Sequence, residues 1–178
     1  MIGMTVTVLR MGHRPQRDKR LSTHVLLAAR AFGADGAIYS GAMDPRLEET
    51  VTELVDGWGG GFTVRYTDSW RATVKVWRGE VVHLTMYGLP VQQVIQEIRA
   101  SPEPKLVAVG GPKVPREIYD LATWNVSVTS QPHSEVSALA VFLHMLFGGE
   151  ELERSFEGAR LRIKPKEHGK DVETLSKD

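Results

Sequence analysis

Short β-like runs and helix-like runs alternate along almost the whole chain, and this alternation limits the possible folds more than any other feature. Apolar, β-rich segments predict strands at 5–9, 36–39, 62–66, 81–86, 106–109 and 124–128. Between and after them, apolar residues at helical spacing predict helices at 21–32, 46–55, 70–77, 91–98, 115–121 and 136–147. Such alternation predicts an α/β fold with a mostly parallel sheet and helices on both faces.

The length and composition fit one domain. A chain of 178 residues with 42% hydrophobic residues can bury one sizeable core, but it is too short for two ordinary domains. The apolar pattern weakens after Gly148. We therefore predict one domain over 1–148 and an extension over 149–178 that packs on it, with a short strand at 160–163 before a charged tail.

The composition also excludes several classes of protein. The chain has no cysteine, which rules out disulfides, thiolate zinc sites and a cysteine nucleophile. The six histidines show no metal-ligand spacing, so no metal is expected. No apolar run approaches the roughly 20 residues of a membrane span, and the N-terminus lacks the core of a secretory signal. We therefore expect a cytoplasmic protein that does not enter a membrane.

Three loops at the ends of predicted strands, those after Met86, Val109 and Val128, are candidate binding loops, and Leu84 and Met86 before the first could form an apolar rim for an adenine ring. Ligands of parallel sheets bind beyond the carboxyl ends of the strands. Gly110 and Gly111 permit a tight turn there, although the phosphate-binding patterns GxGxxG and GxxxxGK[ST] are absent. In the loop 129–134, Ser130 and Ser134 are possible helix caps. Plain core at 81–88, an ordinary turn after Val109 and a capped helix start after Val128 explain the three segments as well without a ligand.

A basic segment, RMGHRPQRDKR at 10–20, follows the first predicted strand. It contains five arginine or lysine residues and one acid. Arginine side chains suit phosphate oxygens, and helical spacing places Arg17, Arg20 and His24 on one face. A solvated charged face, or ion pairs with the acidic residues of 44–56, is the ordinary alternative. The segment supports a hypothesis of RNA binding by three arginines, namely Arg14, Arg17 and Arg20.

Several strings together resemble one family, the archaeal tRNA cytidine-56 2′-O-methyltransferases of the SPOUT class. In chain order they are LRMGHRPQRDKRLSTHVLLAARAFGADG, VHLTMYG, VAVGGPKVPREIYDLA and NVSVTSQPHSEVSALAVFL. The resemblance covers most of residues 5–148, and HRPQRDKR and QPHSEV are its most specific strings. The last thirty residues match less distinctively.

The resemblance implies a SPOUT-like fold with a deep trefoil knot in its C-terminal part, and a homodimer. It implies methyl transfer from S-adenosyl-L-methionine to the ribose of cytidine 56 in the T loop of tRNA. Three loops would bind this cofactor. Their residues are Leu84; Gly110, Gly111, Pro112, Lys113 and Val114; and Val128, Thr129, Ser130, Gln131, Pro132, His133, Ser134 and Glu135.

The resemblance does not supply the catalytic group. Leu27 occupies the position at which many ribose methyltransferases of the wider class carry an arginine. Either Arg17, Arg20 or Arg30 is expected to replace that arginine, or the proton is handled differently. We expect Arg17 and Arg20 to bind RNA and to stabilise the developing alkoxide. Histidine commonly serves as a base near neutral pH, which makes His24 the candidate base. Two alternatives stay open: an α/β enzyme with another nucleotide ligand, and a non-catalytic RNA-binding module.

Overall fold

The computed structural model describes residues 4–111 and 113–175, and in them strands and helices alternate as predicted. The strands of the main sheet are β1 (Val6–His13), β2 (Gly36–Gly41), β3 (Thr63–Thr67), β4 (Glu80–Pro90), β5 (Lys105–Gly110) and β6 (Trp124–Ser127). The helices are α1 (Pro15–Ala31), α2 (Pro45–Trp58), α3 (Trp70–Val76), α4 (Val91–Ala100), α5 (Glu117–Leu121) and α6 (Glu135–Phe147).

The main sheet has the strand order β3-β2-β1-β5-β4-β6, and its neighbouring strands pair in parallel. This confirms the expected α/β fold with a mostly parallel sheet. Successive strand residues point to opposite faces of the sheet, and both faces are apolar, so helices pack on both. Val8 belongs to the larger core cluster, which α1, α2, α4 and α6 cover, whereas Leu9 belongs to the smaller one under α3 and α5. No described helix is long and apolar enough to cross a bilayer.

Two boundaries in the basic segment differ from the prediction. β1 continues to His13 and α1 begins at Pro15, so most of this segment is the first part of a helix. Proline suits the first turn of a helix. The residues that follow it, 16–20, are mostly exposed and polar. They carry no apolar spacing, and the prediction therefore began the helix too late.

β4 runs past its predicted end and pairs twice with β6. Val126 of β6 pairs with Leu84 and also with Leu89, and the register shifts between these two pairings. A Cβ atom on Gly88 would overlap the backbone of Asn125 and Val126. The tail of β4 therefore lies directly against β6, and glycine is required at this contact.

The C-terminal extension contains a 3₁₀-helix (Glu150–Glu153) and an antiparallel hairpin of β7 (Leu161–Ile163) and β8 (Val172–Thr174). The sequence predicted β7 but not β8. Arg154 Nη1 donates to the carbonyl oxygen of Gly33 at 2.6 Å, and the Arg160 amide donates to that of Gly57 at 2.9 Å. The extension therefore packs on the ends of α1 and α2.

A buried ion pair joins β4 to the start of β5. The Lys105 side chain is fully buried, and its Nζ lies 2.6 Å from Glu80 Oε2. The ammonium also donates to the carbonyl oxygens of Ser101 (3.0 Å) and Glu103 (2.7 Å). Burial would raise the pKa of Glu80, but hydrogen bonds from Lys105, Trp124 and Ser101 outweigh it and hold that pKa below its ordinary value.

We expect Lys105→Met to lower the free energy of unfolding by about 3 kcal/mol, because it leaves the partly buried Glu80 carboxylate without its cation. The control, Lys164→Met, removes an exposed pair with Glu173 (3.2 Å) and should cost less than about 1 kcal/mol. Urea unfolding followed by circular dichroism measures both. Because the pKa of Glu80 is lowered in the folded state, the Lys105 effect should shrink as the pH falls through that pKa. Equal losses of stability in the two variants would contradict a stabilising role of the buried Lys105–Glu80 pair.

Candidate functional site

The carboxyl ends of β4, β5 and β6 surround a cavity of about 360 Å³, called here the first cavity. These three strands are neighbours in the sheet, so the loops that follow them meet at one edge. Most of the residues expected to bind a cofactor line this cavity. They are Leu84, Gly110, Gly111, Val114, Val128, Gln131, Pro132, His133 and Glu135.

One wall of the first cavity comes from β4 and α5, where the sequence had indicated Leu84 and Met86 but not His83 or Tyr119. His83 is buried, its Nδ1 lies 2.9 Å from Asn125 Oδ1, and its ring contacts Tyr119 edge to face with centroids 4.8 Å apart. Burial lowers the pKa of His83 more than the hydrogen bond with Asn125 raises it, so the ring is neutral near pH 7. The Tyr119 hydroxyl lies 2.9 Å from Thr85 Oγ1. These contacts hold the wall in place.

The loop between β6 and α6 forms the opposite wall and is conformationally constrained. Thr129 has a φ of 85°, in the left-handed region that residues other than glycine seldom adopt. The two ring nitrogens of His133 lie 3.1 Å from the Val128 carbonyl oxygen and 3.0 Å from that of Ser134. Ser134 caps α6, as predicted, with its Oγ accepting a backbone amide at 3.3 Å. Ser130 caps no described helix, and Thr129, Ser130 and Ser134 do not line the cavity.

The turn after β5 brings backbone close to the cavity. A Cβ atom on Gly110 would overlap Val114 Cγ1, so no side chain fits there without displacing Val114. A Cβ atom on Gly111 would have open space, with Glu135 Oε1 at 3.9 Å as its nearest neighbour. Pro112, also expected in this loop, lies outside the described residues. Lys113 does not line the first cavity.

A buried arginine lies behind the first cavity. Arg10 is only 1% exposed, its Nε donates to Ser22 Oγ at 3.3 Å, and its Nη1 lies 3.8 Å from Glu135 Oε1. Burial lowers the pKa of Arg10, and the charges of Glu135 and Asp18 oppose that shift. Although Arg10 belongs to the basic segment by sequence, it is not on the surface and faces the Glu135 carboxylate instead.

A second cavity, of about 650 Å³, adjoins the first and shares Gly111 and Val114 with it. Its lining includes several charged side chains and one aromatic ring: Arg14, Arg17, Lys113, Asp68 and Trp70. Arg14 is already paired, because its Nε lies 2.7 Å from Asp18 Oδ2. The second cavity therefore combines cationic side chains with a stacking surface.

The structure separates the three expected catalytic residues. Arg17 lines the second cavity, together with Arg14 of the expected RNA-binding set. Arg20 and His24 lie further along α1, are exposed, and line neither cavity. Within the described residues there is no cluster of three or more side chains suited to hold a metal ion.

Sequence reasoning missed the residues that β2 and β3 contribute. Ser40 and Gly41 end β2, and Asp68 and Trp70 follow β3. The rule that ligands bind at the carboxyl edge of a parallel sheet applies to these strands too. It could have indicated them, but neither loop contains a glycine pair or another recognisable string.

Solved structures share this fold at low identity. The tRNA-modifying enzyme TrmH/SpoU of A. aeolicus has a TM-score of 0.59 and 14% identity, over 85% of this chain and 78% of that chain. The SpoU methyltransferase AviRb of Streptomyces viridochromogenes, solved in complex with AdoMet, has a TM-score of 0.55 and 14% identity, over 83% of this chain and 58% of that one. These similarities show the fold of SpoU-type methyltransferases.

Several proteins are much more similar to this chain in sequence than those solved structures are. A protein of Methanopyrus kandleri is 54% identical over 171 residues, 94% of this chain and 96% of that protein. One of Methanothermobacter thermautotrophicus is 52% identical over 170 residues, 94% of this chain and 95% of that protein. Both are named tRNA (cytidine(56)-2′-O)-methyltransferase. Residues 58–173 match the family described as tRNA ribose 2′-O-methyltransferase. The chain therefore belongs to the tRNA ribose 2′-O-methyltransferase family.

Proposed function

We propose that this chain transfers a methyl group from S-adenosylmethionine to the ribose 2′-hydroxyl of cytidine 56 in the T loop of tRNA. The named activity of relatives more than 50% identical to it supports this substrate. The observation that carries the proposal is the pair of adjoining cavities at the carboxyl edge of the sheet, one largely apolar and the other cationic. A non-catalytic RNA-binding module would need no such pair.

The residues of the first cavity fit S-adenosylmethionine. Leu84, Met86, Val128 and Ala138 give apolar surface for an adenine ring, and the backbone at Gly110 offers polar groups with no side chain in the way. A volume of about 360 Å³ lies within the range of small-molecule sites. When bound, this cofactor supplies a methyl group activated by a sulfonium. The protein then has to position the ribose and to accept the hydroxyl proton.

Glu135 would accept that proton. Gly111 lines both cavities, and Glu135 Oε1 lies 3.9 Å from the position that a Cβ atom on Gly111 would take. The carboxylate is therefore at the junction where a ribose in the second cavity would face the first. Arg10 is buried with its Nη1 3.8 Å from Glu135 Oε1, and it places a positive charge behind the carboxylate. We propose Glu135 as the general base of the reaction.

The expected catalytic residues of α1 take different places in this proposal. Arg17 would bind a phosphate next to the target ribose. Arg20 and His24 could act only on a cavity of a second protomer, since they line neither cavity of their own chain. A homodimer would allow this, and it would also cover Tyr87 and Leu89, which are 79% and 54% exposed beside the first cavity.

We also propose that β4 and β6 form part of a trefoil knot. A strand has two hydrogen-bonding edges, and the pairing of Val126 with both Leu84 and Leu89 is consistent with residues 85–88 passing around the end of β6. The contact between Gly88 and the β6 backbone supports the same path. Since its substrate would be tRNA, we propose the cytoplasm as its location.

The activity itself is tested on unmodified tRNA incubated with radiolabelled S-adenosylmethionine. We expect one methyl group per tRNA, on the ribose of nucleotide 56, because the chain belongs to a family of ribose methyltransferases. Nuclease digestion with mass spectrometry locates the modified nucleotide. Transfer to a base, transfer to another position, or salt-sensitive tRNA binding without any transfer would each contradict the proposal.

The cofactor loop is tested by Gly110→Ala. We expect it to weaken S-adenosylmethionine binding by about tenfold, or about 1.4 kcal/mol, because the new Cβ atom would displace Val114 from the cavity wall. A matched control is Gly57→Ala in α2, whose Cβ atom would meet nothing closer than Leu161 Cδ1 at 3.9 Å. Isothermal titration calorimetry measures both dissociation constants. An unchanged constant for Gly110→Ala would mean that this turn does not contact the cofactor.

The general base is tested by Glu135→Gln. We expect kcat to fall by about 100-fold, because an amide cannot accept the proton, with little change in the dissociation constant of S-adenosylmethionine. The exposed Glu150→Gln is the charge-matched control. A weaker cofactor constant with an unchanged kcat would instead make Glu135 a cofactor ligand.

Arg20→Ala and His24→Ala are measured alongside, and wild-type rates in both would remove those residues from the mechanism.

A further inference from the structure

The position, volume and cationic side chains of the second cavity suit a nucleotide. It shares Gly111 and Val114 with the first cavity, so its occupant would lie beside the proposed cofactor. At about 650 Å³ it lies within the range of sites that enclose small molecules. Arg17 and Lys113 are exposed cations on its rim that can contact phosphates.

We propose that the second cavity holds the target nucleotide itself, with Trp70 as the surface on which the cytosine stacks and Asp68 as the group that recognises cytosine. This inference rests on the proposed function and extends it, since it assigns the choice of base to named side chains. It places the sugar of the same nucleotide at Gly111, facing Glu135 across the junction of the two cavities.

Trp70 is well anchored for stacking. Its ring is half-buried against the smaller core cluster, and the guanidinium carbon of Arg71 lies 4.8 Å from its ring centroid. Arg71 is in turn paired with Glu117. The indole is therefore held on the protein while it still lines the cavity. Aromatic rings held in this way bind unstacked bases without preference among them, so Trp70 would add affinity and leave the choice of base to another group.

Asp68 can make that choice. Among the described residues that line the second cavity, it is the one acid, and no described side chain pairs with it. Its carboxylate oxygens are therefore open to a ligand. Cytosine carries an amino group at C4, and a carboxylate accepts from that group. Uracil carries a carbonyl oxygen at the same position, which a carboxylate would repel. Asp68 would thus favour cytidine over uridine.

The test compares Asp68→Asn with wild type on two unmodified tRNAs, one with cytidine and one with uridine at position 56. We expect wild type to prefer cytidine by roughly tenfold or more in kcat/KM, as for a good base contact. Asp68→Asn should bring the two rates within about threefold, because an amide can both donate and accept. Asp68→Glu, which keeps the carboxylate, should restore part of the preference.

Two controls show that the effect is local. Asp56→Asn is the same change at an exposed position near the end of α2, at the opposite edge of the sheet, and should keep the wild-type ratio. Trp70→Ala should raise KM for both tRNAs alike, whereas Trp70→Phe should keep most of the affinity. The dissociation constant of S-adenosylmethionine and the Tm of each variant show that its fold and cofactor site are intact.

The outcomes separate this inference from the proposed function. If wild type methylates cytidine 56 and Asp68→Asn keeps the full preference for cytidine, the assignment of Asp68 is overturned while the function stands. The assignment of Trp70 is overturned if Trp70→Ala leaves KM unchanged. If wild type methylates neither tRNA, the proposed function fails and the inference falls with it.

Discussion

The position of β4 between β5 and β6 is the constraint on which the site depends. Parallel strands can be joined only by crossover connections, so the loops that follow them all emerge at the same edge of the sheet. β4 pairs with β5 through residues 80–83 and with β6 through 82–84 and 89–90. The second pairing leaves Thr85, Met86 and Tyr87 at the edge, where they line the first cavity. One strand therefore both joins its neighbours and supplies a wall of the site.

The fold was predictable wherever apolar residues determine it. The six core strands follow from short, continuous apolar runs, because the central strands are buried on both faces of the sheet. The six helices follow from apolar residues at a spacing near 3.6, because each helix buries one face against a core cluster. The prediction failed where burial does not determine the structure. The first turns of α1 and the strand β8 are mostly exposed. The tail of β4 contains Gly88 and Pro90, residues that are typical of loops.

The candidate site was predictable in part, for a similar reason. The loops after β5 and β6 have glycines, prolines and a capping serine in recognisable positions, and they do meet at one cavity. Arg10 shows the limit of such reasoning. It belongs to the basic segment by composition, but alternation along β1 turns its side chain into the protein, where Glu135 compensates its charge. Only the three-dimensional structure shows that this arginine is buried near a carboxylate and is not part of the cationic surface.

The C-terminal hairpin has a practical consequence for protein engineering. Through Arg160 and Leu175 its strands are hydrogen-bonded next to Gly57, at the end of α2 and near the amino end of β3. Both proposed binding cavities lie at the other edge of the sheet. A fluorescent protein or an affinity tag fused after the hairpin would therefore emerge away from the cavities. Such fusions should leave room for a large nucleic acid, whereas fusions near β1 would start closer to the sheet centre.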